Sequence, residues 1–489
     1  MHLPNSRVLV FVLFIFTAFE SLGQEGLNFK VNQQFYLKGN TALIGNNIVS
    51  EDATKPFDDQ SIYNDKIKME YIDIDDDKST FSSSSAKLTL PETSKKIAYA
   101  ALYWSAIYKY DKGYTRTLGD QIVYRGNDNR EVDVNKILFK LPEAEYTPID
   151  GTVIYDSYLN SQFNDTKPYV CYADVTELLQ QNKTTNGYYT LANIRATEGF
   201  VSGGCSGGWL LYIIYEDDTV KPAYFTTYNG FIEVNKEAVD ITFKDFITDE
   251  QGEIKTSLSL GVLEGDQKFK TDACYVMNQD SESYTALSNK LRDKTNFFNS
   301  TITIGGKYFK DRIPGSINTL GFDLLKTDIA NPNNTVLSNN SSKMTIRFKT
   351  KADRFYVFFV AFETEISPVL LESKNTDYFM RADTETYALP QQKELDKITN
   401  LKSISIPDLA KGYYLVTNVF SVEANATKWK QFLTEKGHNP KSYKNPKNNW
   451  DYIYLHMSED PNEVYLKQRE LDKLDYFKDI WILKINMAN

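Results

Sequence analysis

From about residue 26 to residue 366 the chain reads as strand after strand. In Lys343–Lys349 the apolar Met344, Ile346 and Phe348 alternate with polar neighbours, the period of a strand with one face buried. Trp209–Tyr215 and Phe355–Phe362 are unbroken apolar runs, too short for typical helices and rich in β-forming residues. They are expected as central strands buried on both faces. Turn-forming pairs punctuate the stretch at Gly119-Asp120, Gly126-Asn127, Asn229-Gly230 and Gly305-Gly306. Asp174–Gln181 is the exception and predicts a short helix. Many short strands at this spacing predict one or two β-sandwich, jelly-roll-like domains across residues 24–366.

The pattern then changes. Residues 367–408, with Pro368, a polar stretch and Ile406-Pro407, read as a linker. Residues 409–489 read as a small α+β domain. Tyr413–Phe420 predicts a strand, and Ala426, Trp429, Phe432 and Leu433 form one apolar helical face that Gly437 terminates. A short strand near Lys441–Tyr443, a strand at Tyr452–Leu455, a helix opened by Pro461 and a strand at Ile480–Ile485 complete a β-α-β-β-α-β, ferredoxin-like order.

Composition removes several functions. Aromatic residues make up 14% of 489 positions, which excludes a disordered chain. A formal net charge of -10 argues against gripping phosphate backbones, so no nucleic acid is expected as partner. The three histidines are His2, His438 and His456, so residues 3–437 hold no Ser-His-Asp chemistry and no His-ligated zinc. Carboxylate-only catalysis survives that filter. Residues 1–23 read as a signal peptide, with Arg7, the apolar run Val8–Phe16 and small residues near Gly23. Beyond it no apolar run is long enough to span a membrane, so an exported protein is expected, in the periplasm or at the outer membrane or cell surface. Cys171, Cys205 and Cys274 allow at most one disulfide, and the odd count favours buried thiols.

The tail residues Gly412-Tyr-Tyr-Leu-Val-Thr-Asn-Val-Phe-Ser421, Ala424–Trp429, Leu433, Lys436-Gly437 and Asp451–Leu455 resemble the SPOR family, the sporulation-related repeat domains that bind peptidoglycan. The resemblance implies that the sheet face away from the helices cradles glycan. Strand alternation then turns Leu415, Thr417 and Val419 toward the helices and leaves Tyr414, Val416 and Asn418 exposed. By the same rule Tyr452 and Tyr454 face the groove, with His456 on their side, and Ile453 and Leu455 face the core. The expected ligand-binding residues are therefore Tyr414, Asn418, Tyr452 and Tyr454, for a peptidoglycan glycan or an envelope or adhesin protein. Val416 departs from the family, which often places a polar residue there.

Tyr71–Asp77, Ser82–Ala86, Leu88–Pro91, Ala98–Trp104, Tyr172–Thr176, Gly207–Leu210, Ile214–Asp217 and Tyr228–Phe231 resemble an exported β-domain of Bacteroidota adhesion and gliding-motility-associated proteins. That resemblance implies an envelope location and no particular reaction.

Among candidate chemical sites, Asp73, Asp75 and Asp77 sit at alternate positions. On an extended strand they would share a face and offer three hard oxygens to Ca²⁺; the alternative is a solvated acidic strand end. The glycines of Ser202–Gly208 lack a P-loop ending and read as a turn before the Trp209 strand. Trp104, Trp209 and Trp429 read as core. No acid pair stands out as a glycosidase dyad. The expectation is a non-catalytic envelope binding protein without a cofactor. The alternatives are a carbohydrate-binding or carboxylate-dependent carbohydrate-acting protein and a structural subunit of an outer-membrane assembly.

Overall fold

The chain is mainly β, and its longest strand, Gly26–Asn47, organises the larger part of it. The computed structural model describes residues 26–127, 130–160, 163–268, 270–278, 283–352, 354–372, 374, 398, 401, 403–405, 409–471, 474, 476–477 and 480–486. They divide into two compact units after residue 375. The expected leader at 1–23 and most of the expected linker at 367–408 lie outside the described residues. The described start of that linker belongs with the first unit, because Leu370 and Leu371 pack against its second core.

Two halves of the Gly26–Asn47 strand pair with different partners. Gly39–Asn47 runs antiparallel to Gly207–Glu216, and Gly26–Lys38 runs antiparallel to Pro222–Val234. From the first partner the sheet continues through Lys96–Ile107, Pro168–Asp174 and Thr152–Asp156. From the second it continues through Phe355–Glu365, Thr256–Leu263 and Phe322–Asp328 to Ile302–Ile304 and Lys307–Tyr308.

The two halves of this eleven-stranded sheet meet face to face. Phe359 of one half lies 4.9 Å from Tyr103 and 5.5 Å from Tyr212 of the other, ring centre to ring centre. Glycine permits the close approach: a Cβ on Gly208 would stand 2.5 Å from the Phe322 ring. The outer face of the first half carries a five-stranded sheet that includes Ser83–Leu88, whose Ser84 Oγ accepts a hydrogen bond of 2.9 Å from Trp209 Nε1. The outer face of the second half carries a four-stranded sheet, with Phe243 stacked on Phe362 at 4.3 Å. Gly207–Glu216 and Phe355–Glu365 are thus covered on both sides, the reason they contain the unbroken apolar runs Trp209–Tyr215 and Phe355–Phe362. Trp104 and Trp209 are fully buried, as are the three free thiols. The expected short helix forms at Thr176–Gln181, its first turn tied by Asp174 Oδ1 accepting from the Thr176 amide.

Burying so many strands also buries charge. The Arg292 guanidinium is completely enclosed and donates to Asp323 Oδ1 at 2.7 Å, to Thr303 Oγ1 at 2.8 Å and to the carbonyls of Phe297 and Thr301 at 2.6 and 2.8 Å. Asp323 also accepts from the Ser300 amide at 2.8 Å. A second enclosed pair joins Arg130 to Asp156 at 2.6 Å.

The second unit places Gly412–Phe420, Glu423–Glu435, Lys441–Asn445, Trp450–Ser458, Pro461–Leu471 and Trp481–Asn486 in β-α-β-β-α-β order. The last strand, the first, the third and the second lie side by side in that order, all antiparallel, and Ile404–Ser405 adds a parallel edge to the last. Both helices cover one sheet face through Ala426, Leu433, Val464 and Leu471, packed on Leu415, Ile453 and Ile482. Gly437, at φ 87°, ends the first helix, and the His438 amide closes it by donating to the Leu433 carbonyl at 2.9 Å.

Arg292→Met should cost about 3–5 kcal/mol in urea unfolding, because Asp323 is then left buried without its counter-charge. A loss below about 1 kcal/mol would show that Asp323 does not depend on the guanidinium.

Candidate functional site

The surface of the tail sheet opposite the helices carries an aromatic and apolar face. Across its four strands Trp481, Val416, Tyr454 and Lys441 stand in register. That row spans three strand spacings, about 14 Å. Tyr443 pairs with Tyr452, and Trp450 follows two residues before Tyr452, so pleat alternation puts all three on this face. Trp450 is 45% exposed and Trp481 39%, whereas Tyr452 and Tyr454 are half-buried. Exposed indole rings on a flat sheet can stack on sugar rings or fill a partner's pocket.

Two irregularities in the pairing rearrange the expected face. Between Leu415 and Val416 the partner strand skips Leu455, and between Val416 and Asn418 the first strand carries Thr417 as an extra residue. The second bulge reverses the alternation beyond it. Val419, expected toward the helices, packs instead with Tyr414, Tyr452 and Tyr454, while Phe420 joins the helix-side core. Thr417 remains on the helix side, accepting from Trp429 Nε1 at 3.2 Å. Asn418 is exposed but stands opposite Ile453, a residue of the helix-side core, so it leaves the groove face. His456 likewise pairs with Leu415 of the helix-side core and not with the tyrosine side.

Tyr414 was expected to be exposed and is not. It is 3% exposed, packed with Val416, Ile485 and Leu409, and edge-on to Tyr454 at 5.1 Å. Its hydroxyl donates to the Ala410 carbonyl at 2.7 Å, and burial together with Tyr454 raises its pKa. Tyr414 therefore supports the face from below. The face brings Tyr452 and Tyr454 together with Trp450 and Trp481, two residues that pattern reading missed. The signal was available, since Trp450 alternates with Tyr452 and Trp481 with Leu483 and Ile485.

Asp73, Asp75 and Asp77 do not share one strand face. The backbone bends and turns through residues 75–79, and each carboxylate serves its own local bonds. Asp73 accepts from Ser83 Oγ at 2.8 Å, Asp75 from Tyr146 at 2.5 Å and Asp77 from the Ser79 amide at 2.9 Å. Among the described residues no group of three His, Cys, Asp or Glu side chains is placed to hold a metal ion.

The first unit holds a polar cleft that no sequence pattern announced. It encloses about 1120 Å³ between Asn40, Lys221, Lys255, Lys326, Asp328 and Glu363, close to where the Gly26–Asn47 strand changes partner. Lys326 Nζ lies 2.9 Å from Glu363 and 2.9 Å from the Thr41 carbonyl. Ser257 and Thr41 hydroxyls both donate to the same carboxylate. Burial alone would raise the Glu363 pKa, but the Lys326 charge and these hydrogen bonds outweigh it and hold the group below the usual glutamate value. A carboxylate held ionised in this way is a fixed acceptor and is poorly suited to donate a proton.

No family model matches the chain, and no curated protein matches it in sequence. Among solved structures, PNGF-II is 12% identical over 67% of this chain, with a TM-score of 0.19, and the chain spans 65% of that structure's length. PNGase F, described as a glycosylasparaginase from Flavobacterium meningosepticum, is 12% identical over 67% of this chain and 96% of that one, with a TM-score of 0.15. Likeness at this level carries no argument about this chain.

Because the folded pKa of Glu363 is depressed, its contribution to stability is present above the unfolded glutamate value of about 4.3 and is lost as pH falls through the lower folded value. Glu363→Gln should lower stability at neutral pH and flatten its decline below about pH 4, measured by denaturant unfolding across that range. An unchanged acid limb would contradict the ion pair.

Proposed function

We propose that the protein is an exported, non-catalytic binding protein of the cell envelope, accessory to surface adhesion or gliding motility, whose tail docks to peptidoglycan or to an envelope complex. The observation that carries this reading is the pair of exposed indoles, Trp450 and Trp481, on the sheet face opposite the helices. The strand order of the tail supports a ferredoxin-like, SPOR-like domain. In the first unit, the stacking of sheets on both faces of the divided large sheet supports a pair of β-sandwiches. Among the described residues no helix is long and apolar enough to cross a membrane.

The glycan partner fits the face chemically. The rings of Trp481, Tyr454, Tyr452 and Trp450, with Lys441 beside Tyr454, offer stacking surfaces and one cation, the complement of a sugar polymer with acidic peptide stems. A second reading, carbohydrate binding or carboxylate-dependent turnover in the first unit, is favoured by the cleft around Lys326 and Glu363. Turnover of a polysaccharide, abolished by a single acid substitution, would establish it.

Trp450→Ala/Trp481→Ala in the full chain should reduce co-sedimentation with purified peptidoglycan, at about 1–3 kcal/mol for each ring that is a hot spot, without changing thermal unfolding. Tyr454→Ala should by contrast destabilise the tail, because its ring packs against the buried Tyr414. Wild-type sedimentation of the indole variant would overturn the role of this face.

A further inference from the structure

A second surface feature of the first unit belongs to a small three-stranded sheet and does not line the cleft. Lys112–Leu118 and Gln121–Gly126 form a hairpin joined by the two-residue turn Gly119-Asp120. Its base is fixed to the body: Gly113 and Gly126 lie so close to the Tyr110 ring that a Cβ would stand 2.7 and 2.4 Å from it. Gly113 also pairs with Gly199. Beyond that base the hairpin is exposed except at the half-buried Val123 and Tyr124, and the apolar Tyr114, Leu118 and Ile122 are among the exposed residues. Leu118 is 60% exposed, Ile122 65% and Tyr114 43%.

The register gives the hairpin one composite face. Tyr114, Arg116 and Leu118 pair with Arg125, Val123 and Gln121, so these six side chains share one side of the ribbon. On this side Leu118 sits at the tip with the guanidinium groups behind it, and Ile122, paired with Thr117, sits at the tip on the opposite side. Three of the four charged residues in Lys112–Gly126 are cationic, in a chain whose net charge is -10. Arg116 lies over the Tyr114 ring at 5.3 Å. Lys112, at the base, stands 4.0 Å from Glu198, and among the described residues no carboxylate lies within ion-pair distance of Arg116 or Arg125.

We infer that this hairpin docks the protein onto an anionic phospholipid surface, the tip aliphatics entering the headgroup layer while Arg116 and Arg125 meet lipid phosphates. Charge complementarity selects the partner, since a chain of net charge -10 is repelled by such a surface as a whole, whereas the hairpin carries Lys112, Arg116 and Arg125 against the single carboxylate of Asp120. Size points the same way. A ribbon tip two residues wide presents too little area for a stable protein–protein interface, whereas a few aliphatic groups inserted beside cations give weak, reversible membrane association.

The test is co-sedimentation of the full chain with vesicles of equal parts phosphatidylglycerol and phosphatidylcholine, and with vesicles of phosphatidylcholine alone. Wild type should bind the anionic vesicles, more weakly as salt is raised. Arg116→Gln/Arg125→Gln and Leu118→Ser/Ile122→Ser should each weaken that binding by about tenfold or more, with unchanged thermal unfolding because all four side chains are solvent-exposed. Wild type that binds neither vesicle overturns the inference. So does either variant binding as well as wild type, or loss of a co-purifying acidic protein in the variants while vesicle binding is unaffected.

Discussion

A single 22-residue strand that hydrogen-bonds to two different neighbours along its length sets the architecture of the first unit. Each half of Gly26–Asn47 seeds one half of the large sheet, and the halves then lie against each other. Strand segments covered on both faces cannot show polar residues to either side, so Trp209–Tyr215 and Phe355–Phe362 are apolar throughout. Side chains must also vanish where sheets approach closely, which is the role of Gly208 against Phe322.

Polar chemistry is forced to the margins of this stack. Where charge is trapped inside, as at Arg292 and Asp323, it is paired and its remaining donors are satisfied by carbonyls and hydroxyls. Near the change of partner, at Asn40 and Thr41, backbone and side-chain groups become available to Lys326, and the cleft opens beside them. The cleft and the ion pair in its wall thus follow from the same shared strand.

In the tail the governing constraint is the pleat, and two bulges decide where it is broken. Without them strict alternation would carry Asn418 to the open face and Val419 to the helices. With them the open face becomes more apolar, is seated on the buried Tyr414 and Val416, and is rimmed by the indoles of Trp450 and Trp481. A face with a rigid aromatic base loses little conformational freedom on binding, which suits recognition of a flat partner.

The sequence by itself determined the elements: period-two patterns, continuous apolar runs and helical stripes placed the β-rich character of the first unit, the buried Trp104 and Trp209, and the element order of the tail. Those features are local, written in the spacing of neighbouring side chains. Tertiary structure alone decided the rest. Asp73, Asp75 and Asp77 have the spacing of a shared strand face, but hydrogen bonds from Ser83, Tyr146 and Ser79 turn them in separate directions. Lys326 and Glu363 are 37 positions apart, on strands separated by a third, and only that sheet order brings them together. Tyr414 was legible as lying away from the helices, but its burial depends on Leu409, Val416 and Ile485 closing around it. Alternation specifies which side of a strand a residue takes only while the register is unbroken, and bulges and packing partners are set by contacts distant in sequence.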